Sequence, residues 1–285
     1  MNSSKSSGYE LLFLGTSASC GVPAYYCGCK VCEEARAHPE YARGCSSIMI
    51  RGAEDTLIDT SPELRLQFIR ERLTRVDQIL FTHEHFDHVG GLAQLEYYSK
   101  LVSGKPIPVY AGKECIEYLT SHFDFMADSL DFNSIKAFEV LEFNGVRYTP
   151  LPAAHAPGTF GYLIEIPTRG ESALPVSTPR YVRIAYFPDT GVLPDQTRAY
   201  LGDLDILIHD ATFNGRNWMP HSHTTIDEAI SLAREIRPKV TYLTHLALHY
   251  DTPITVEELQ EKLDEVNAAH DCDIRIAFDG MNIEV

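Results

Sequence analysis

Gln78-Ile79-Leu80-Phe81-Thr82-His83-Glu84-His85-Phe86-Asp87-His88-Val89-Gly90-Gly91 is the stretch from which the rest of the chain is read. Gln78 to Thr82 is short and apolar, the pattern of a buried strand. Gly90-Gly91 breaks the chain, and Leu92 to Leu101 has helical spacing. The polar cluster between them therefore sits on a loop leaving a strand, where side chains can converge on one point. Imidazole and carboxylate are the usual ligands of borderline divalent metals. His83 and His85 lie two apart, and Asp87 and His88 are adjacent, which suits two ligand pairs facing two ions. A solvated loop would not need so many ligand-type residues in so short a run.

The bulk properties narrow the function. The 285 residues suffice for a sizeable core. Lys and Arg number 24 against 40 Asp and Glu, a net charge of −16. Such a surface repels nucleic acid, so an electrostatically driven DNA or RNA binder is not expected. No apolar run reaches the length of a membrane span. The polar, serine-rich start lacks the apolar core of a signal peptide, and residues 1–8 read as a disordered tail. Seven cysteines, an odd number with three crowded together, argue against a disulfide framework. A reducing, cytoplasmic location is the expectation.

Cys27-Gly28-Cys29-Lys30-Val31-Cys32 lies in a cysteine-rich insert at 20–32. Three thiols there can close round a structural zinc if a fourth ligand arrives from elsewhere; a redox pair at Cys29 and Cys32 is the alternative. Upstream, Gly15 to Pro23 is a loop of small residues after a strand at Tyr9 to Leu14. Asp59 ends a strand, where it either caps a turn or orients a metal-bound histidine. Phe123 to Phe132 reads as core, and Thr168 to Pro179 as a hairpin excursion. Thr224 or Thr225 opens a helix running to Arg237. Both halves of the chain carry ligand-type residues, which argues for one domain over 9–285.

His83-x-His85-x-Asp87-His88, between an apolar strand and Gly-Gly, resembles the signature of the metallo-β-lactamase superfamily. That resemblance implies an α/β (α+β) fold, a four-layer αββα sandwich with a dinuclear site at one edge. Gly15-Thr16, Gly21-Val22-Pro23, the three cysteines and the ending Phe278-Asp279-Gly280-Met281-Asn282-Ile283 resemble the PhnP-type phosphodiesterases, over nearly the whole chain. The resemblance implies His83, His85 and His155 on one ion, and Asp87, His88 and His245 on the other. Asp189 of Asp189-Thr190-Gly191 would bridge them, and His223 would be the catalytic histidine. Asp87 would lie at the reacting centre as well as on metal. His249 would complete the zinc, although it stands four residues after His245 where the family has three; His38 and Cys45 are the other candidates.

The expected activity is that of a metal-dependent phosphodiesterase. Its cofactors would be two divalent ions, manganese or zinc, plus one structural zinc. Its substrate would be a small cyclic phosphodiester such as 5-phosphoribosyl 1,2-cyclic phosphate or a cyclic nucleotide phosphate, as in phosphonate metabolism. Neither nucleic acid nor membrane is an expected partner, and a homodimer is left open. The competing readings are a tRNA-processing nuclease, a β-lactam or thioester hydrolase, a PqqB-like cofactor-biosynthesis protein, and a zinc-stabilised sensor of a phosphorylated ligand without turnover.

Overall fold

The structure, a computed structural model, describes residues 8–168 and 180–285. The expectations of a disordered tail and of a hairpin excursion after Thr168 lie almost wholly outside the described residues.

Among the described residues, strands form two seven-stranded sheets. The first contains β1 (Glu10–Gly15), β2 (Ser47–Arg51), β3 (Thr56–Ile58), β4 (Gln78–Leu80), β5 (Ile107–Ala111) and β6 (Leu130–Ser134). The second contains β7 (Leu141–Phe143), β8 (Val146–Pro152), β9 (Phe160–Pro167), β10 (Tyr181–Phe187), β11 (Ile206–Asp210), β12 (Val240–Thr244) and β13 (Ile274–Ile276). The closing strand β14 (Asn282–Glu284) returns to pair antiparallel with β1. In each sheet a parallel half meets an antiparallel half at the fourth strand, β3 in one and β10 in the other.

Side-chain alternation makes the layers. Leu11 and Phe13 of β1 face the other sheet and pack with Tyr148, Tyr162, Tyr186 and Ile208. Leu12 and Leu14 face outward, against Leu64, Leu92 and Leu119 from helical segments. On the far side, Leu243 and Ile276 pack against the helices Ile226–Ile236 and Val256–His270. Both faces of each sheet are thus buried, so the central strands read as apolar runs. The result is the four-layer αββα sandwich. Two tyrosine hydroxyls tie the sheets together: Tyr148 donates to Thr56 Oγ1 at 2.9 Å and Tyr162 to the Phe81 carbonyl at 2.7 Å. Buried hydroxyls need such partners.

The Ile226–Ile236 helix starts as its sequence requires. Thr225 Oγ1 accepts from Glu228 N at 3.1 Å, and the Glu228 carboxylate accepts from Thr225 N at 2.7 Å, a reciprocal capping box. Leu92 to Leu101 departs from the expected single helix. It is a 3₁₀ turn at Leu92–Leu95, a short α segment at Glu96–Tyr98 and a π turn at Ser99–Ser103. Leu92 and Leu95 bury three residues apart, a spacing that matches three residues per turn. Ser99 Oγ then donates to the Lys105 carbonyl at 2.9 Å and Gly104 N closes on the Ser99 carbonyl, pulling the last turn wide. The Phe123 to Phe132 segment is core only in part: Met126 and Leu130 are buried, while Phe125 is exposed.

Candidate metal centre

The site lies where strand ends of both sheets meet. His83, His85, Asp87 and His88 follow β4; Asp189 follows β10; Asp210 ends β11; His245 follows β12. A Cβ on Gly91 would overlap the Ser61 carbonyl, so the turn that follows the histidine loop can pack this closely only as glycine. Asp59 and His245 both have left-handed backbone, at φ 64° and 56°. Non-glycine residues hold that conformation only where surrounding contacts impose it.

The expected ligands form two adjoining sets. Nitrogens of His83, His85 and His155 converge in the first, with His83 Nε2 and His155 Nε2 each 3.0 Å from His85 Nδ1. Asp87, His88, Asp189 and His245 converge in the second and are all buried. Asp189 reaches His88 Nε2 at 2.5 Å with one oxygen and His245 Nε2 at 3.1 Å with the other. Its charge also works against burial and His88 at His83, the buried member of the first set, pulling that imidazole's pKa upward without reversing its fall. His221 is exposed and outside both sets.

Four of the five expected ligand histidines are aimed by their other nitrogen. His88 Nδ1 donates to Asp59 at 2.8 Å. Thr82 gives its hydroxyl proton to Asp59 and accepts from His83 Nδ1 at 3.0 Å. Thr212 likewise donates to Asp210 and accepts from His245 Nδ1 at 2.9 Å. His155 Nδ1 donates to the Ser222 carbonyl at 2.8 Å. With every Nδ1 hydrogen engaged, the Nε2 lone pairs of these four face the centre. Asp59 thus contacts His88 directly and His83 through Thr82, the arrangement of a carboxylate that orients metal-facing histidines.

The residues fit divalent cations. His88 Nε2, His245 Nε2 and one Asp189 oxygen are buried without a hydrogen-bond partner, a costly state that a cation would relieve. Burial by itself would keep His88 neutral, yet Asp189, Asp59 and Asp87 hold its pKa well above the imidazole range. The carboxylates thus demand positive charge at this point. His83, pushed well down by burial and then by His88, stays a neutral donor.

Asp210 and His223 adjoin the second set. Asp210 Oδ2 lies 2.8 Å from His223 Nδ1. Asp210 also accepts from Thr190 N, Thr212 N, Thr212 Oγ1 and Thr224 N, and it groups with His223, Asp189 and His245 as a further set of ligand-type atoms. Burial lowers the His223 pKa, but the Asp210 hydrogen bond and the charges of Asp210, Asp189 and Asp87 outweigh it and raise it to about 9. Sequence reading passed over Asp210; its signal was an acidic residue ending an apolar strand eleven or more positions before a histidine-bearing helix start, too common a pattern to single out.

The cysteine insert makes a second, separate cluster. Ligand atoms of Cys27, Cys32 and His249 lie together, with His249 Nδ1 3.5 Å from Cys32 Sγ. Cys29, expected as a third thiol ligand, is not among the converging ligand atoms. His249 is therefore the histidine that reaches the thiols. His38 instead lies near Glu40, and Cys45 near Glu63. No thiol is in a disulfide among the described residues. Burial pushes the Cys32 thiol up to about 12, and a coordinated cation is what would make it a thiolate. Cys20, unassigned from sequence, places its sulfur 3.2 Å from His249 Nε2 and 2.8 Å from the Tyr250 hydroxyl.

A four-layer αββα sandwich with an all-histidine and carboxylate centre at its strand ends defines a metal-dependent hydrolase fold. The chain belongs to the beta-lactamase superfamily, whose domain model matches residues 55–246. It is similar to a crystal structure described as a new diphosphatase from the PhnP family, with a TM-score of 0.77 and 28% identity over 97% of each chain. It is 25% identical over 270 residues to an octanoyltransferase of Porphyromonas gingivalis, covering 91% of this chain and 50% of that one. The chain thus spans half the length of that relative. It is also 26% identical over 324 residues to ribonuclease Z of Archaeoglobus fulgidus, covering 95% of this chain and 99% of that protein. No helix among the described residues is long and apolar enough to cross a membrane.

Proposed function

We propose that the protein is a dinuclear metal-dependent phosphodiesterase acting on small cyclic phosphodiesters, a sugar cyclic phosphate or a cyclic nucleotide. The observation that carries the reading is His223: held by Asp210 and beside Asp189, it is not needed to complete the two ligand sets built on the histidine loop. A hydrolase that must expel a poor leaving group needs such a proton donor next to its metals. The PhnP-family likeness supports a phosphate substrate. A net charge of −16 weighs against a long RNA, despite the ribonuclease Z likeness.

His83, His85 and His155 would hold one ion, and Asp87, His88 and His245 the other, with Asp189 shared. Two divalent cations there would supply Lewis acidity, activate water at neutral pH and offset phosphate charge. Manganese and zinc both suit these donors. Asp59, Thr82 and Thr212 keep the histidines in the tautomer that presents Nε2. His223, protonated at neutral pH by the pull of Asp210, would give its Nε2 proton to the departing alkoxide oxygen. Cys27, Cys29, Cys32 and His249 would hold a structural zinc that pins the insert to the loop carrying His245.

Turnover of bis(p-nitrophenyl) phosphate by metal-reconstituted protein tests this reading. The expected result is hydrolysis that disappears in Asp189→Ala. Failure of the reconstituted protein to cleave any phosphodiester, while still binding phosphorylated ligands, would favour a sensor.

A further inference from the structure

Trp218 is the only tryptophan of the chain, and it is 51% exposed although it sits on the loop that carries His223. An aromatic ring of that size normally buries. This one is braced. It stacks on Phe213 with centroids 6.1 Å apart and on Tyr250 at 5.9 Å. Phe213 is itself buried and sets its ring edge-on to His223 at 5.9 Å. Tyr250 stacks on His249 at 4.6 Å and reaches Cys20 with its hydroxyl, so the cysteine cluster backs the wall. One intervening ring therefore separates the open indole from the proton donor.

The loop is also fixed. Asn217 Nδ2 donates to the His223 carbonyl at 2.9 Å, and Met219 N donates to Asn217 Oδ1 at 2.9 Å. The Ser222 carbonyl is tied to His155. A Cβ on Gly191 would stand 2.8 Å from the Pro220 carbonyl oxygen, so the loop lies hard against the turn after Asp189. The ring is held in place one ring away from His223 with about half its surface open.

We propose that Trp218 is a stacking shelf for a planar ring on the non-reacting part of the substrate, so that the phosphodiester taken is a ring-bearing one of the nucleobase class. The inference rests on the phosphodiesterase reading and narrows it. An exposed, preorganised indole gains most from a flat π-face, and stacking is indifferent to which base is presented. A strongly acidic chain has little cationic surface with which to recognise a larger polyanion, which confines the ligand to the scale of a single nucleotide.

The lone tryptophan makes binding directly readable without turnover. Metal-loaded protein is titrated with adenosine 5′-monophosphate and, separately, with ribose 5-phosphate, following indole emission and binding heat. The nucleotide should quench the emission saturably while the sugar phosphate does not. Trp218→Ala should weaken nucleotide binding roughly 5- to 100-fold, the range for one lost base stack, and weaken sugar phosphate binding far less. Trp218→Phe should recover most of the affinity. Equal losses for both ligands, an absence of quenching, or a change of oligomeric state in Trp218→Ala with nucleotide affinity intact would each overturn the shelf. Saturable nucleotide quenching without hydrolysis of any phosphodiester would uphold the shelf and sink the phosphodiesterase reading. Hydrolysis with the same kcat/KM for ring-bearing and ring-less diesters would do the reverse.

Discussion

Asp59 and Asp210 make matching contacts from opposite sheets. Each accepts a threonine hydroxyl, from Thr82 and Thr212, and each lies 2.8 Å from a histidine Nδ1, of His88 and His223. Each threonine in turn accepts from a metal-facing histidine, His83 or His245. The two aspartates differ in what they aim. His88 groups with Asp87, Asp189 and His245, whereas His223 groups with Asp210, Asp189 and His245. On the proposed function the first aspartate would serve metal binding and the second proton transfer.

Asp59→Asn should weaken the metal centre. Asparagine tolerates the left-handed backbone found at Asp59, so the fold should survive. Losing the charge that orients His88 should lower metal affinity by roughly 10- to 100-fold, measured by competition with a chromophoric chelator. Unchanged affinity would mean that Asp59 merely caps the turn.

Asp210→Asn should leave the metal content intact and move the pH profile. Against the opposing effect of burial, Asp210 raises the His223 pKa. A proton donor works only below its pKa, so removing the raising carboxylate must shift the alkaline limb of kcat to lower pH. A uniform drop in kcat with no movement of that limb would assign Asp210 a purely structural part.

His223→Ala should lower kcat by roughly 10²–10⁴, the range for loss of a general acid or base. The loss should shrink on p-nitrophenyl esters, whose leaving group needs no proton, and be largest where an alkoxide departs. Equal losses on both would indicate that His223 positions phosphate. A falling metal stoichiometry would make it a ligand.

The cysteine cluster should hold its ion independently. Mild chelation that empties the histidine centre should leave zinc on wild-type protein but not on Cys32→Ser or His249→Ala. Those variants should also melt lower, since structural zinc contributes directly to folding. An unchanged melting temperature with no zinc at any stage would reduce the cluster to free thiols.

Much of this was legible in the sequence because ligand chemistry is local. His83, His85, Asp87 and His88 announce themselves by spacing alone. The four layers came from the resemblance, and the helix start at Thr224 or Thr225 from its Ser/Thr-type cap. His155, Asp189 and His245 are single residues on separate loops, and only the resemblance drew them together. Asp210, Thr82 and Thr212 were not legible, because a hydrogen bond between side chains from different strands leaves no pattern along the chain. The break of Leu92 to Leu101 into three helical types depends on Ser99 finding Lys105, again a tertiary event.

The most direct measurement is ³¹P NMR of a five-membered cyclic phosphodiester incubated with protein stripped of metal and then reconstituted with manganese or zinc. The account predicts an unchanged ring signal with the stripped protein, complete conversion to the ring-opened monoester after reconstitution, and no conversion with reconstituted Asp189→Ala. Persistence of the cyclic signal with wild-type protein whose histidine centre is shown to be filled would contradict it.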